Sequence, residues 1–249
     1  MLTPLRAWHG DPALRASTIA TAERHRAADL LRHGATGRPS DGAPGCSVVC
    51  TVGSYDHSLY PIHLGLPEWL ARMQDRIYES LPRDGRHLDD EWTVDLLGCI
   101  EPGADLDAVL PHILHDILVE VALPVAGSSV LAVQGVIGLL SRRIAGDEPT
   151  LTAWGAAWAA ARAAEAAAEA AEAAEAAGAA GAAAGAAEAA ARAAWAAEAA
   201  EAAGAADWAA RAAARAAEVA GVARAAAWER IRAITLRHLA AAPIAETDA

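Results

Sequence analysis

Lysine and phenylalanine are missing altogether from this 249-residue chain, which holds only three cysteines, three tyrosines and two methionines. All of its permanent positive charge is arginine, a skew that reads as the amino-acid bias of a GC-rich bacterial genome. Positive charge is also short, since 20 basic against 32 acidic side chains leave a formal net charge of −12. A protein that binds a phosphate backbone needs clustered cations to displace counterions, so nucleic acid is excluded as a partner. An odd cysteine count excludes a fully paired disulfide framework, and the start MLTPLRAWHG lacks the apolar core of a secretory signal. Reduced thiols in a cytoplasmic protein are the expectation.

Catalytic signatures are scarce too. The chain has no glycine-rich phosphate loop, nucleophile elbow or zincin helix, and Gly178, Gly181 and Gly185 follow no strand and have no lysine with them. Residues 121–140 form an uncharged run ahead of Arg142 and Arg143, about the 20 residues that a bilayer span requires. Pro124, three glycines, two serines and Gln134 interrupt it. A buried core helix is the better reading, and a membrane is not an expected partner.

What the chain does hold is alanine, concentrated after Pro149, so its 54% hydrophobic content overstates the area available for burial. The composition shift divides it into a helix and flexible linker at 1–44, a helical core domain at 45–149 and an alanine-rich helical domain at 150–249. The expected class is all-α, an irregular helical domain followed by an antiparallel helical hairpin or bundle.

Asp11 before Pro12 is a helix-opening pair, and the run that follows ends at Gly34. Residues 34–45 are rich in Gly and Pro and read as a mobile linker. Residues 46–51 fit either a strand or a short helix. Leu66, Leu70, Met73, Ile77 and Leu81 recur at three and four residues, which predicts an amphipathic helix between Pro67 and Pro82. A shorter helix is expected at 89–99. Asp105 would cap another, whose stripe is Leu106, Val109, Leu110, Ile113, Leu114, Ile117, Leu118 and Val121.

From Trp154 to Glu218 alanine is interrupted about every 3.4 residues, short of the 3.6 of a straight helix. The stripe of interruptions would therefore circle one long rod, which would measure roughly 105 Å. Breaks are expected at Gly178, Gly181 and Gly185, with Gly204 and Gly221 next, giving two or three antiparallel helices. Trp154, Trp158, Trp195, Trp208 and Trp228 would anchor the core. Ile231, Ile234, Leu236 and Leu239 give the last helix an ordinary apolar face, and Pro243 ends it. An ice-binding role is excluded because residues 153–233 contain no threonine for a methyl-hydroxyl array.

The constellation with most chemistry is Cys46, Cys50 and His57, with Asp56 and His63 close by in sequence. Two thiolates and an imidazole are natural zinc ligands, and cysteines at i and i+4 share a face if the segment is helical. A fourth ligand would come from His63 or Asp56, and Tyr55 or Asp56 would serve as acid–base groups. Against this stands the plainer reading, in which both cysteines are small buried apolar residues. His112, His115 and Asp116 form a second group, resembling the His-Asp pair of metal-dependent phosphohydrolases, but the further His and Asp of such a site have no counterpart.

Gly45-Cys46-Ser47-Val48-Val49-Cys50, His57, Leu64-Gly65-Leu66-Pro67, Gln74 to Pro82 and Pro102-Gly103-Ala104-Asp105-Leu106 form a recognisable block. It resembles a family of uncharacterised bacterial and phage proteins that pair a GCxxxC…H…LGIP…LEDRIFEGLP…PxGADL block with an alanine-rich helical tail. The likeness covers roughly residues 45–110 and the character of the tail. Gln74 stands where an acid is usual, and Ser80 where glycine is usual. If that block is functional in the family, the resemblance implies Cys46, Cys50 and His57 as the matching positions.

Two functional readings follow. In the first the chain is a non-enzymatic helical scaffold, related to phage or defence systems, that meets a protein partner or itself through the alanine-rich helices. The alternative is a zinc-binding protein, with hydrolase chemistry, built on Cys46, Cys50 and His57.

Overall fold

The computed structural model describes residues 5–82, 88–170, 174–195, 209–216 and 224–244. The fold is all-α. Among the described residues, pairing between extended segments is confined to isolated bridges of Leu31 and Thr36 with Gly45 and of Ala104 with Ile244. Two compact units share the chain, one of Met1–Val109 with Thr235–Ala249, the other Leu110–Ile234. These limits differ from the composition boundaries at 44/45 and 149/150. The first helix packs on the second and fifth, which draws residues before 45 into the first unit.

In the first unit α1 spans Pro12–Ala27, and Asp11 Oδ1 accepts the Ala13 N–H at 2.8 Å as its cap. The helix stops short of Gly34 because Asp29 turns left-handed, at φ 56°. Residues 34–45, expected to be a mobile linker, instead double back on residues 28–33 as a strap. Its limbs are tied by Gly45 N–H to Leu30 O at 2.8 Å and Arg32 N–H to Gly45 O at 2.9 Å. Gly37 makes the crossing possible, since a Cβ there would lie 2.5 Å from Pro44 O.

Next come α2 (Ser47–Val52), α3 (Leu59–Leu64), α4 (Glu68–Ser80) and α5 (Leu88–Cys99). Residues 46–51 thus resolve as helix. The predicted stripe is the hub of this unit. Leu66, Leu70, Met73 and Ile77 are 0% exposed and Leu81 4%, each stabilising by about 2 kcal/mol through apolar burial. Trp8 is also fully buried, and its indole N–H donates to Ile100 O at 3.0 Å. The backbone enters that pocket through left-handed Trp8 and His9, at φ 58° and 51°.

The second unit opens with α6 (Leu110–Ile117), which widens into a π turn over Leu118–Ala122. Asp105 was expected to cap this helix. Its Oδ1 does accept the N–H groups of Asp107 and Ala108, but in a turn of its own, and regular helix begins only at Leu110. After Pro124 and Gly127 break the chain into short 3-10 turns, α7 runs Val130–Ile144. No described helix is long and apolar enough to cross a membrane.

The alanine-rich stretch forms α8 (Leu151–Ala170) and α9 (Ala174–Trp195), with residues 209–216 also helical. The glycines at 178, 181 and 185 lie inside α9, contrary to the expected break. Helix glycine costs about 1 kcal/mol against alanine, and α9 offsets it by central packing: Ala183, Ala184, Ala186, Ala187 and Ala190 are all 0% exposed. Trp154 and Trp228 are buried anchors, whereas Trp158 is only partly covered. Trp208, Gly204, Gly221 and the side chain of Trp195 lie outside the described residues. The last helix, α10 (Arg224–Ala240), buries Ile231, Ile234 and Leu239, and Pro243 lies beyond its end.

Candidate functional site

Helix α2 is one and a half turns long, with Cys46 as its N-cap residue and a left-handed Gly53 at its end. The turn that follows is held by Asp56, whose Oδ1 accepts both the Ser58 N–H at 3.0 Å and the Ser58 hydroxyl at 2.7 Å. That turn presents Tyr55 and His57 as an edge-on pair with ring centroids 5.2 Å apart. Both face Asp75, in the middle of α4. Tyr55 donates its hydroxyl to Asp75 Oδ2 at 3.0 Å, and His57 Nε2 lies 3.8 Å from the same oxygen.

Asp75 is 8% exposed. Burial by itself would push its carboxyl up. Polar interactions with His57, Tyr55 and the Cys46 thiol outweigh burial and hold it below the ordinary carboxyl value. The effect on the donors is reciprocal. Burial, then the neighbouring Asp75 charge, pushes Tyr55 up to about 12. Cys46 is likewise pushed up to about 12, chiefly by burial. The site is thus a buried carboxylate held by protonated neighbours. His57 Nε2 and Asp75 Oδ1 are buried without a hydrogen-bond partner of normal geometry.

Of the residues singled out from sequence, Cys46 and His57 are brought together and Cys50 is not. The Cys50 thiol donates to Leu30 O at 3.7 Å and Gly45 O at 3.6 Å, and burial pushes it, too, up to about 12. Asp56 is exposed and spent on its turn, and His63 is exposed on α3. Among the described residues no three His, Cys, Asp or Glu side chains are grouped so as to hold a metal ion. One turn of helix aims the thiols of Cys46 and Cys50 at different neighbours, Asp75 for the first and the Leu30 and Gly45 carbonyls for the second. His115 Nδ1 and Asp116 Oδ1 pair with each other at 2.8 Å on α6.

Asp75 itself was not singled out from sequence. Its signal was available: Ala71, Asp75 and Tyr78 continue one side of the α4 stripe, and all three are buried, so the inward face is wider than the leucine pattern. Beside it lies a second polar group that spans four helices. Gln74 accepts from the Tyr60 hydroxyl at 2.8 Å and donates to Ser47 Oγ at 2.6 Å and Thr51 Oγ1 at 3.1 Å. Ser47 in turn meets Thr93 Oγ1 at 2.7 Å, and the Trp92 indole donates to Gln74 O at 2.9 Å. Every member is served by another, which marks a network that fixes helix positions.

Compared with protein-family models, curated proteins and solved structures, the chain shows no significant match in any of the three.

Proposed function

We propose that this protein acts by binding another protein rather than by catalysis, and that the second unit is the presenting scaffold. The observation that carries this reading is the make-up of that unit's interior. Among the described residues Ser129 is its only buried polar or charged residue, and the α8–α9 packing is almost entirely alanine. Such an interior supplies no group that transfers a proton or attacks a substrate, so whatever the unit does is done by its surface.

That surface carries both ion pairs and exposed leucines. Arg142 pairs with Asp147 at 2.7 Å, Arg143 with Glu148 at 3.5 Å and Arg230 with Glu120 at 2.7 Å. Leu131 and Leu151 are 78% and 68% exposed at the starts of α7 and α8. Exposed leucines within a charged surface have the composition of a protein-binding face. The resemblance to a phage and bacterial family directs the search for the partner to phage or defence proteins.

The test uses the full chain, immobilised, against extract of cells that produce it, beside Leu131→Asp and Leu151→Asp variants of unchanged circular dichroism. A protein retained stoichiometrically by the parent and lost from one variant supports the reading. Turnover in a hydrolase panel that Asp75→Asn abolishes would overturn it.

A further inference from the structure

The strap at residues 28–45 has few means of attachment. Of residues 28–44, Leu31 and Pro39 are buried as whole residues and His33 by its side chain, so little apolar area holds the strap down. Its main tether is a polar clasp at its centre. The His33 side chain, 5% exposed, places Nε2 3.1 Å from Asp89 Oδ2 and Nδ1 3.7 Å from Glu79 Oε2, and its ring lies 4.4 Å from that of Tyr78. The next residue adds to it: Gly34 N–H points at both oxygens of Glu79, at 2.8 and 2.9 Å. Four of these groups sit within two consecutive residues of the strap and two of α4, with Asp89 the one contribution from α5.

Beneath the strap lies one face of α2. Cys46 N–H donates to Ala35 O at 2.7 Å, and the Cys50 thiol points at Leu30 O and Gly45 O, the two ends of the strap. Cys50 is 1% exposed. The Cys46 thiol faces Asp75 on α4 instead, and Cys99 donates to Leu96 O within its own helix. The three thiols thus report on three different covers.

We propose that the strap is an openable cover: it lifts as a local unit when the His33 clasp releases, with α1 to α5 still folded, and uncovers the Cys50 face of α2. Segments with little buried apolar area and clustered polar tethers open at lower free energy than the whole domain. The clasp is the trigger, because the imidazole, its two carboxylates and the Gly34 amide hold one another. Loss of His33 leaves Asp89 without the imidazole and the Gly34 amide as the one remaining contact to Glu79. Once the strap lifts, the burial that suppresses the Cys50 thiolate goes with it, and the thiol becomes reactive.

The experiment is thiol labelling of the native full chain by a small aromatic disulfide at fixed pH, read at each cysteine by mass spectrometry across low denaturant. For the parent protein, Cys50 labelling is expected to be nearly independent of low denaturant, while Cys46 follows global unfolding. His33→Ala removes the clasp and Gly37→Ala disturbs the limb crossing at a separate point. Both weaken the closed strap relative to the opened and the unfolded chain alike, so each is expected to raise the Cys50 rate by about tenfold or more while its weak dependence on denaturant persists. Cys50 labelling that shares the denaturant dependence of global unfolding in the parent protein overturns the proposal, even if neither variant folds. So do Cys50 rates in both folded variants that equal the parent's.

Discussion

Tyr55 closes over Asp75: a tyrosine that is half exposed donates its hydroxyl, at 3.0 Å, to a carboxylate that is 8% exposed. The pair joins the turn after α2 to the middle of α4, and it keeps a negative charge inside the first unit with a surface residue as its lid. Removing the hydroxyl by Tyr55→Phe should cost about 1.5–3 kcal/mol, the range for a hydrogen bond to a charged group. Denaturant unfolding of the two proteins measures it, and an unchanged midpoint would show that water replaces the phenol without loss.

Asp75 also sets an acid limit. Its folded value lies below its unfolded one, near 3.8, so the stability it contributes is present above the unfolded value and is lost as pH falls through the folded one. Thermal midpoints measured from pH 6 down to pH 2.5 should therefore drop for the parent protein below about pH 4. Asp75→Asn should start lower and lose less over that window. A parallel fall in both would assign the acid sensitivity to other carboxylates.

Gln74 is expected to be harder to replace than any exposed residue of α4. Gln74→Leu strands the hydroxyls of Tyr60, Ser47 and Thr51 in a dry interior, and a destabilisation of about 3 kcal/mol or more is expected. A double-mutant cycle with Thr51→Val separates the shared hydrogen bond from the change in packing. Coupling near zero would mean the network is not cooperative.

Metal content should be sub-stoichiometric. Protein purified without chelator is expected to carry well under one equivalent of zinc, and Cys46→Ser with Cys50→Ser should not change that figure. One full equivalent, lost in the double variant, would show that the two thiols turn towards a common ion in solution.

Trp8 and Gly65 should act together. The left-handed backbone at Trp8 and His9 brings Arg6 O to within 2.1 Å of where a Gly65 Cβ would stand. Gly65→Ala collides there and also strains a φ of +63°. Trp8→Ala empties a fully buried site, at an expected cost of about 3–5 kcal/mol. Both changes should lower the unfolding midpoint of the first unit, followed by near-ultraviolet circular dichroism.

These residues differ in how openly the chain displays them. The α4 stripe, from Leu66 to Leu81, is visible in sequence because large aliphatics at helical spacing have one use, and Asp11 with Pro12 announces α1 just as plainly. Asp75 escapes notice because a carboxylate on an amphipathic helix is ordinarily solvated, and only the tertiary approach of Tyr55 and His57 makes it internal. Cys46 and Cys50 mislead for the opposite reason, since i, i+4 spacing brings two side chains to one face without giving them a common target. Residues 34–45 read as mobile because Gly and Pro remove periodicity, yet Gly37 is what lets the strap's limbs cross. In α9 the glycines look like breaks on propensity alone, which takes no account of how closely neighbouring helices approach.

The α8–α9 pair has a further property. Alanine has no rotamers to freeze, so its packing costs almost no side-chain entropy, but one alanine face also looks much like another a turn away. Information about register is concentrated in the few large side chains that bridge the pair. Trp158 donates to Glu188 at 3.0 Å, and Arg162 lies over the Trp158 ring, 3.9 Å from the same carboxylate. Among the described residues that triplet marks one register of α8 against α9, where alanine on alanine would pack alike a turn away, so alignment is set by a few polar and aromatic groups and cohesion by the alanines.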